Sequence, residues 1–285
     1  MKTTPATCTA QKRQKCFCLF PILGIATVCT VVAIYRYTVN DLDFVFSSPM
    51  TEDDLRSLDL TLGTLLGELN RRNVAYFMIS GTLLGSYRHH GRIPWDDDVD
   101  LMLNSSDKRR IHEALKALEP DYGLYLSHDF DVPYNWKFFP RRHGRPVSRR
   151  TYHWPFVDLF FFRENDTHVW NPSDNHPNLC WPRSVVFPLR QRPFDRHWLP
   201  APCNVPRTLK VEFDISVCAS RRYSHAYELT IPWWSVAVRC SSLYDRFPMV
   251  FRQPNAAGTG SHQFVAETLV LGNRTLHTIT LENGC

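Results

Sequence analysis

No internal repeat and no low-complexity tract occurs in the 285 residues, which sets aside solenoid and disordered architectures. None of the nine cysteines forms a Cys-x-x-Cys pair, so a zinc ribbon or finger has no ligands at its spacing. Glycine is sparse, 12 against 20 prolines, while 18 Phe, 11 Tyr and 8 Trp make the chain aromatic; this favours strands and irregular aromatic loops over a helical bundle. The net charge of +5 is mild and partly belongs to the amino-terminal tail, so no nucleic-acid partner is expected. The length suits one sizeable domain, or one domain with appendages.

Charge is also missing from Cys16 to Tyr35, a run rich in Val, Ile, Leu, Ala and Cys and long enough to cross a bilayer as one helix. It exceeds the ~7–15 residues of a signal-peptide core, and no small-x-small cleavage site follows closely, which disfavours a cleaved leader. Lys2, Lys12, Arg13 and Lys15 precede the run, and Arg36 alone follows before Asp41 and Asp43. The positive-inside rule then keeps the amino terminus in the cytosol and makes everything after Tyr37 lumenal or extracellular. Sequons at Asn104, Asn165 and Asn273 lie on that side. So do Cys180, Cys203, Cys218, Cys240 and Cys285, an odd five that leaves one thiol over if the rest pair. Cys8, Cys16 and Cys18 lie beside the membrane run, where palmitoylation occurs.

The spacing predicts a stem over 36–50 and then a helix from Thr51, with Asp54 completing an acidic capping box, to about Arg72. Leu55, Leu58, Leu62, Leu65, Leu66 and Leu69 form its apolar stripe. Val74 to Ile79 reads as a buried strand that turns at Ser80-Gly81 into a short helix from Thr82, with a loop over Arg88 to Pro94. Val99, Leu101 and Leu103 alternate with Asp98, Asp100 and Met102, as in a second strand neighbouring the first. Ser105 or Ser106 caps a helix over Ile111, Leu115 and Leu118; strand-like segments follow at Tyr122–Leu126, Tyr134–Phe139 and Tyr152–Phe162, the last two separated by the basic stretch Arg141–Arg150. Past about Lys210 only short apolar runs are visible.

Four aspartates in five positions, Asp96, Asp97, Asp98 and Asp100, repel one another if ionised and partly buried unless protons or a cation intervene. On a strand, positions two apart share a face ~6.5–7 Å apart, so Asp98 and Asp100 can hold one or two hard divalent cations that also take phosphate oxygens. Asp158 lies in the apolar run Phe156–Phe162, where an unpaired charge costs several kcal/mol, and a place beside the pair accounts for it. The bland alternatives are a solvated acidic turn and a calcium loop. Ser80-Gly81-Thr82 and Gly85 add a tight strand-to-helix turn where a phosphate can reach backbone N–H groups. Among nearby cations, Arg88 and Lys137 interrupt partly apolar segments and are the candidates for phosphate oxygens, ahead of His89 and Arg92. Trp95 packs, or stacks a base or sugar.

The stretch Ser80-Gly81-Thr82-Leu83-Leu84-Gly85-Ser86-Tyr87-Arg88-His89, followed by Ile93-Pro94-Trp95-Asp96-Asp97-Asp98-Val99-Asp100, closely resembles the signature of the LicD family, which includes fukutin and fukutin-related protein. The likeness covers mainly Leu55 to Leu118, with looser extensions at Val157-Asp158-Leu159-Phe160 and Phe187–Pro206. The long stem and the cysteine-rich zinc-binding insertion of fukutin-related protein have no visible counterpart. The resemblance implies an α/β (α+β) nucleotidyltransferase-like fold, a mixed sheet with flanking helices, preceded here by the transmembrane helix. Its family pattern of a Gly-Thr turn, an Asp-x-Asp strand and a third Asp on a neighbouring strand falls on Gly81-Thr82, Asp98-Val99-Asp100 and Asp158.

The resulting expectation is a cytosolic tail over 1–15, a signal anchor over 16–35, a stem over 36–50, a catalytic domain over 51–210 and a carboxyl-terminal region of unassigned architecture over 211–285. The implied activity is transfer of a phosphate-linked group, of ribitol phosphate or phosphocholine type, from a CDP-linked donor to a glycan or glycoprotein. Asp98, Asp100 and Asp158 would hold Mg2+ or Mn2+; Asp158 is also a candidate general base, Asp96 a candidate for supporting the metal ligands or for the acceptor side, and Gly81, Thr82, Arg88 and Lys137 the donor-phosphate group. The expected location is the Golgi membrane in type II topology, with the endoplasmic reticulum as alternative and a second copy or a related transferase as partner. The competing reading is a catalytically inactive lumenal module of the same fold that binds glycan or escorts a transferase.

Overall fold

In residues 157–164 six successive side chains from Val157 to Phe162 are buried, as a strand covered on both faces requires, and this strand is the middle one of the main sheet. The structure, a computed structural model, describes residues 24, 25, 27–30, 41–127, 135–173, 179–231, 235–255 and 263–285. The chain divides into two units, Met1–Val45 and Phe46–Cys285. In the first, residues 24, 25 and 27–30 are helical and exposed, and Leu42–Val45 makes one further helical turn. Most of the span expected from Cys16 to Tyr35 lies outside the described residues; among those described, no helix is long and apolar enough to cross a membrane.

The second unit begins with helix α1 (Glu52–Arg71), whose capping box is formed: the Thr51 hydroxyl accepts from Asp54 N at 3.2 Å and Asp54 Oδ2 accepts from Thr51 N at 2.9 Å. Strand β1 (Tyr76–Met78), helix α2 (Ser80–His89), strand β2 (Val99–Asn104), helix α3 (Lys108–Lys116), β3 (Tyr122–Leu126), β4 (Trp136–Pro140) and β5 (Val157–Glu164) follow. They build one mixed sheet in the order β1-β2-β5-β4-β3, in which β2 and β5 run parallel and the other neighbours antiparallel. β6 (His168–Trp170) and β7 (Cys180–Pro182) extend it from the far end of β5.

Several boundaries differ from the sequence expectation for local reasons. Helix α2 starts at Ser80 and continues through Arg88 and His89, so the expected loop begins only at His90, whose φ of 53° ends the helix. Asn104, not Ser105 or Ser106, caps the turn before α3, its Oδ1 accepting from Ser106 N at 2.9 Å. The segment expected as one strand over Tyr152–Phe162 is broken at Pro155, which has no N–H for a ladder; His153–Trp154 pairs instead with Arg145–Pro146.

Alternation along β2 and β5 sorts the sheet into two faces. Leucines 58, 62, 65 and 69 of α1, with Ile111 and Leu115 of α3, are buried with Leu101, Leu103, Leu159 and Phe161. Met102, Phe160 and Phe162 face the other way and form a cluster with Phe77, Ile79, Val169 and Trp181. On that same face, one step back along β2 and β5, stand Asp100 and Asp158.

Beyond β7 the chain forms the hairpin β8 (Arg190–Phe194) and β9 (His197–Ala201), then α4 (Val205–Leu209), then β10 (Val217–Ala219) paired with β11 (Ala237–Arg239). A three-stranded meander, β12 (Met249–Asn255), β13 (Gln263–Leu271) and β14 (Arg274–Asn283), closes the unit. Disulfides Cys203–Cys285 and Cys218–Cys240 pin this region, leaving Cys180 as the unpaired member of the five. A buried charge cluster joins the meander to α2: Glu267 accepts from His90 Nε2 at 2.8 Å, Arg192 at 2.8 Å and Arg252 Nε at 2.9 Å.

Candidate active site

Register alone brings the central carboxylates together. Asp100 on β2 lies directly opposite Asp158 on the parallel β5, and Asp158 lies directly opposite Lys137 on β4. Asp98, two positions before Asp100, projects to the same side. All three aspartates are buried, and carboxylate oxygens of Asp98, Asp100 and Asp158 lie within 4.8 Å of one another.

The start of α2 packs against this triad. The Thr82 hydroxyl accepts from Asp100 N at 2.7 Å, fixing the helix to the strand. A Cβ on Gly81 would stand 2.7 Å from Asp96 Oδ2 and 3.9 Å from Asp100 Oδ2, so only glycine lets the carboxylates come this close to the helix. Ser80 has φ 45°, a region that side-chain-bearing residues rarely adopt, and its hydroxyl donates to Glu212 at 2.9 Å. Gly85 serves packing instead: a Cβ there would meet the Gly91 carbonyl at 2.5 Å.

The electrostatics follow from this crowding. Burial, then Asp96, Asp158 and Asp97, push the Asp98 carboxyl up to about 8 against the opposing pull of His225. Burial and then Asp98, Asp158 and Asp96 hold Asp100 well above the usual carboxylate range. Asp96 is raised by burial and by Asp97. The oxygens of Asp158 accept from Lys137 Nζ at 2.9 and 3.0 Å and from Asn135 Nδ2 at 2.8 Å. The Lys137 ammonium also lies 3.7 Å from the Phe156 ring centroid.

Asp97 is fully buried and belongs to a supporting layer. Its carboxylate accepts from His225 Nδ1 at 2.7 Å, His225 N at 3.1 Å and Arg221 at 3.2 Å, while its carbonyl takes Trp154 Nε1 at 2.8 Å. The other ring nitrogen of His225 reaches Asp98 Oδ2 at 3.1 Å. Burial pulls the imidazole down, but the charge of Asp98 and the hydrogen bond and charge of Asp97 outweigh it and push His225 up to about 10. His225 is therefore an imidazolium clamp between Asp97 and Asp98.

These contacts set five carboxylates, Asp96, Asp97, Asp98, Asp100 and Asp158, against three cations, Lys137, Arg221 and His225. The excess of two negative charges calls for protons or a divalent cation. The triad fits such an ion: three hard oxygen donors converge there, and burial and the neighbouring carboxylates push two of them up. Asp97, Asp98 and His225 also converge, and there both ring nitrogens of His225 are already engaged, Nδ1 with Asp97 at 2.7 Å and Nε2 with Asp98 at 3.1 Å.

Residues 73–204 match the family described as LicD/FKTN/FKRP, nucleotidyltransferase domain. The chain carries a LicD-family domain. It is 26% identical over 177 residues to human ribitol 5-phosphate transferase FKRP, covering 62% of this chain and 35% of that protein. It is 33% identical over 103 residues to human ribitol-5-phosphate transferase FKTN, 36% of this chain and 20% of that protein. Lipopolysaccharide cholinephosphotransferase LicD of Haemophilus influenzae is 25% identical over 138 residues, 46% of this chain and 49% of that protein. The match to FKRP thus spans about a third of that relative's length.

Within the LicD-family match lie Gly81, Thr82, Asp96, Asp98, Asp100, Lys137 and Asp158, which the structure gathers around one site. Arg88 is not among them. It sits at the far end of α2, where its guanidinium donates to the carbonyls of Ile215 and Val217 at 3.2 and 3.0 Å. Lys137 reaches the site as the partner of Asp158. Arg221 and His225 lie outside the matched residues in a stretch without apolar periodicity, and nothing in their spacing signals a role. The one available signal was the run of aspartates itself, since buried Asp97 needs a cationic partner from somewhere.

Proposed function

We propose that the chain is a glycan-modifying phosphotransferase that moves a phosphate-linked group, of ribitol phosphate or phosphocholine type, from a CDP-activated donor to a glycan hydroxyl. The observation carrying this reading is the convergence of Asp98, Asp100 and Asp158 beside the start of α2. Relatives named as ribitol-phosphate and choline-phosphate transferases support the class of group transferred.

A bound Mg2+ or Mn2+ would supply charge neutralisation at the donor phosphate oxygens, held by Asp98, Asp100 and Asp158. The chain's own groups do the rest. Gly81 and Thr82 lie in the first turn of α2, whose amino-terminal N–H groups and dipole suit a pyrophosphate. Lys137 and Asn135 hold Asp158 in one orientation, which suits a fixed ligand. Asp96 is half-buried, adjoins Gly81 and is raised, which brings its proton affinity closer to that of an effective general base near neutrality. The acceptor hydroxyl oxygen forms the new bond to the donor phosphorus, its proton passes to Asp96, and the bond to CMP breaks.

The test is release of CMP by the full chain across a panel of CDP-linked donors with Mg2+ or Mn2+. Release with one donor establishes the transferase; silence across the panel, from folded protein that binds the metal, supports the inactive-module reading.

Lumenal placement behind a signal anchor is part of the same proposal, supported by the uncharged run Cys16 to Tyr35 and by the two disulfides, which suit an oxidising compartment. Asn273 is exposed in the turn between β13 and β14. In animal cells the chain is therefore expected to carry an endoglycosidase-sensitive glycan that Asn273→Gln removes. A chain with no such glycan at any of its three sequons would defeat the lumenal assignment.

A further inference from the structure

At the carboxyl end of α2, away from the triad, lies a cleft of about 500 Å³ that none of the five aspartates lines. Its walls carry Tyr87 and Arg88 from α2, Asp214, Arg239 at the end of β11, Tyr244, and Arg252 from β12. Three guanidinium groups thus face one carboxylate. Asp214 is itself engaged, its Oδ1 accepting from Ser216 N at 2.9 Å and Ser216 Oγ at 2.7 Å.

The three arginines are not equivalent. Arg252 is committed to Glu267, donates to the Tyr87 carbonyl, and lies 3.4 Å from the Tyr87 ring centroid. Arg88 is only 7% exposed, gives one terminal nitrogen to two neutral carbonyls, and leaves its buried Nε without a partner. Burial lowers its proton affinity to about 10, so it stays charged at neutral pH. Arg239 is exposed and makes no ion pair among the described residues. A buried guanidinium whose hydrogen bonds go to neutral carbonyls, a second cation without an ion pair on the same wall and aromatic rings beside them form a setting for a bound oxyanion with a compact polar body. The volume falls within the ~300–1,000 Å³ of small-ligand pockets.

We propose that this cleft binds an anionic sugar residue, its phosphate or carboxylate held between Arg88 and Arg239 and its ring against Tyr87 and Tyr244. The site is separate from the triad and stands whether or not the proposed transfer is correct. A glycan bearing a charged residue would be gripped there by its charge, giving the chain a preference among acceptors or glycan ligands.

The test is calorimetric titration of the full chain, solubilised in detergent and freed of divalent ions, with glucose 6-phosphate, glucuronate, glucose and inorganic phosphate. At least one anionic sugar is expected to saturate a single site at millimolar concentration or below, more tightly than inorganic phosphate, while glucose does not bind. The tighter of the two identifies the anion. Arg239→Glu, a surface change, is expected to weaken binding at least about tenfold with an unchanged melting temperature, and Asp100→Asn to leave it intact. Failure of both anionic sugars, inorganic phosphate binding as tightly as either, or an undiminished affinity in Arg239→Glu would each overturn the proposal.

Discussion

Asp100→Asn is expected to lower CMP release at least about a hundredfold while leaving the metal-free fold as stable as the parent or more so. Asp100 is buried, and Asp98, Asp158 and Asp96 add to the effect of burial in holding its carboxyl well above the usual range. Burial and the neighbouring carboxylates thus favour the protonated form in the metal-free state, and asparagine reproduces its shape without the repulsion. What is lost is the third charged oxygen donor. At a hundred times its dissociation constant a divalent ion stabilises the parent by about 2.7 kcal/mol, seen as a rise in melting temperature that the variant should lack. A variant that keeps both that rise and its turnover would remove Asp100 from the metal site.

The same shifts set the direction of the pH dependence. A carboxyl whose folded value is raised to about 8, as for Asp98, against an ordinary value of 3.8 makes the metal-free folded state bind extra protons between those limits. Its contribution is complete below the ordinary value and is lost as the pH rises through about 8. A divalent ion must displace those protons, so metal affinity should increase with pH over that window.

Much of this site was legible because strand alternation is a rigid rule. Asp98, just before β2, and Asp100 within it project to one side, and Asp158, isolated in an apolar run, needed partners that only a neighbouring strand could bring. The capping box of α1 was readable for the same local reason. Arg88 was not, because it lies seven residues from Gly81 on one continuous helix, a separation of about 10 Å along the axis. The pairing of Lys137 with Asp158 depends on which strand lies beside β5, a fact of topology that no local pattern contains. The layer beneath, Arg221 and His225, reaches Asp97 across more than 120 positions through an irregular segment pinned by the Cys218–Cys240 disulfide. Pairing of that kind has no periodicity to betray it.

His225→Ala is expected to have two separable effects. It strips buried Asp97 of its shortest charged contact, leaving Arg221, and breaking a buried pair this way costs about 3–5 kcal/mol. It also frees Asp98 Oδ2 from its 3.1 Å partner, and loss of a group that orients a ligand typically weakens metal binding about 10–100-fold. Because His225 is raised from 6.5 to about 10, its contribution to stability is complete below pH 6.5 and fades as the pH rises through about 10; the variant should lose that slope. Adding Asp97→Asn to His225→Ala removes the uncompensated charge and should restore much of the stability, yet it cannot re-orient Asp98. Stability that recovers while Mn2+ affinity stays low, read by metal titration of the double variant, marks His225 as a positioning residue for the metal site. Recovery of both together would reduce it to a structural counter-ion for Asp97.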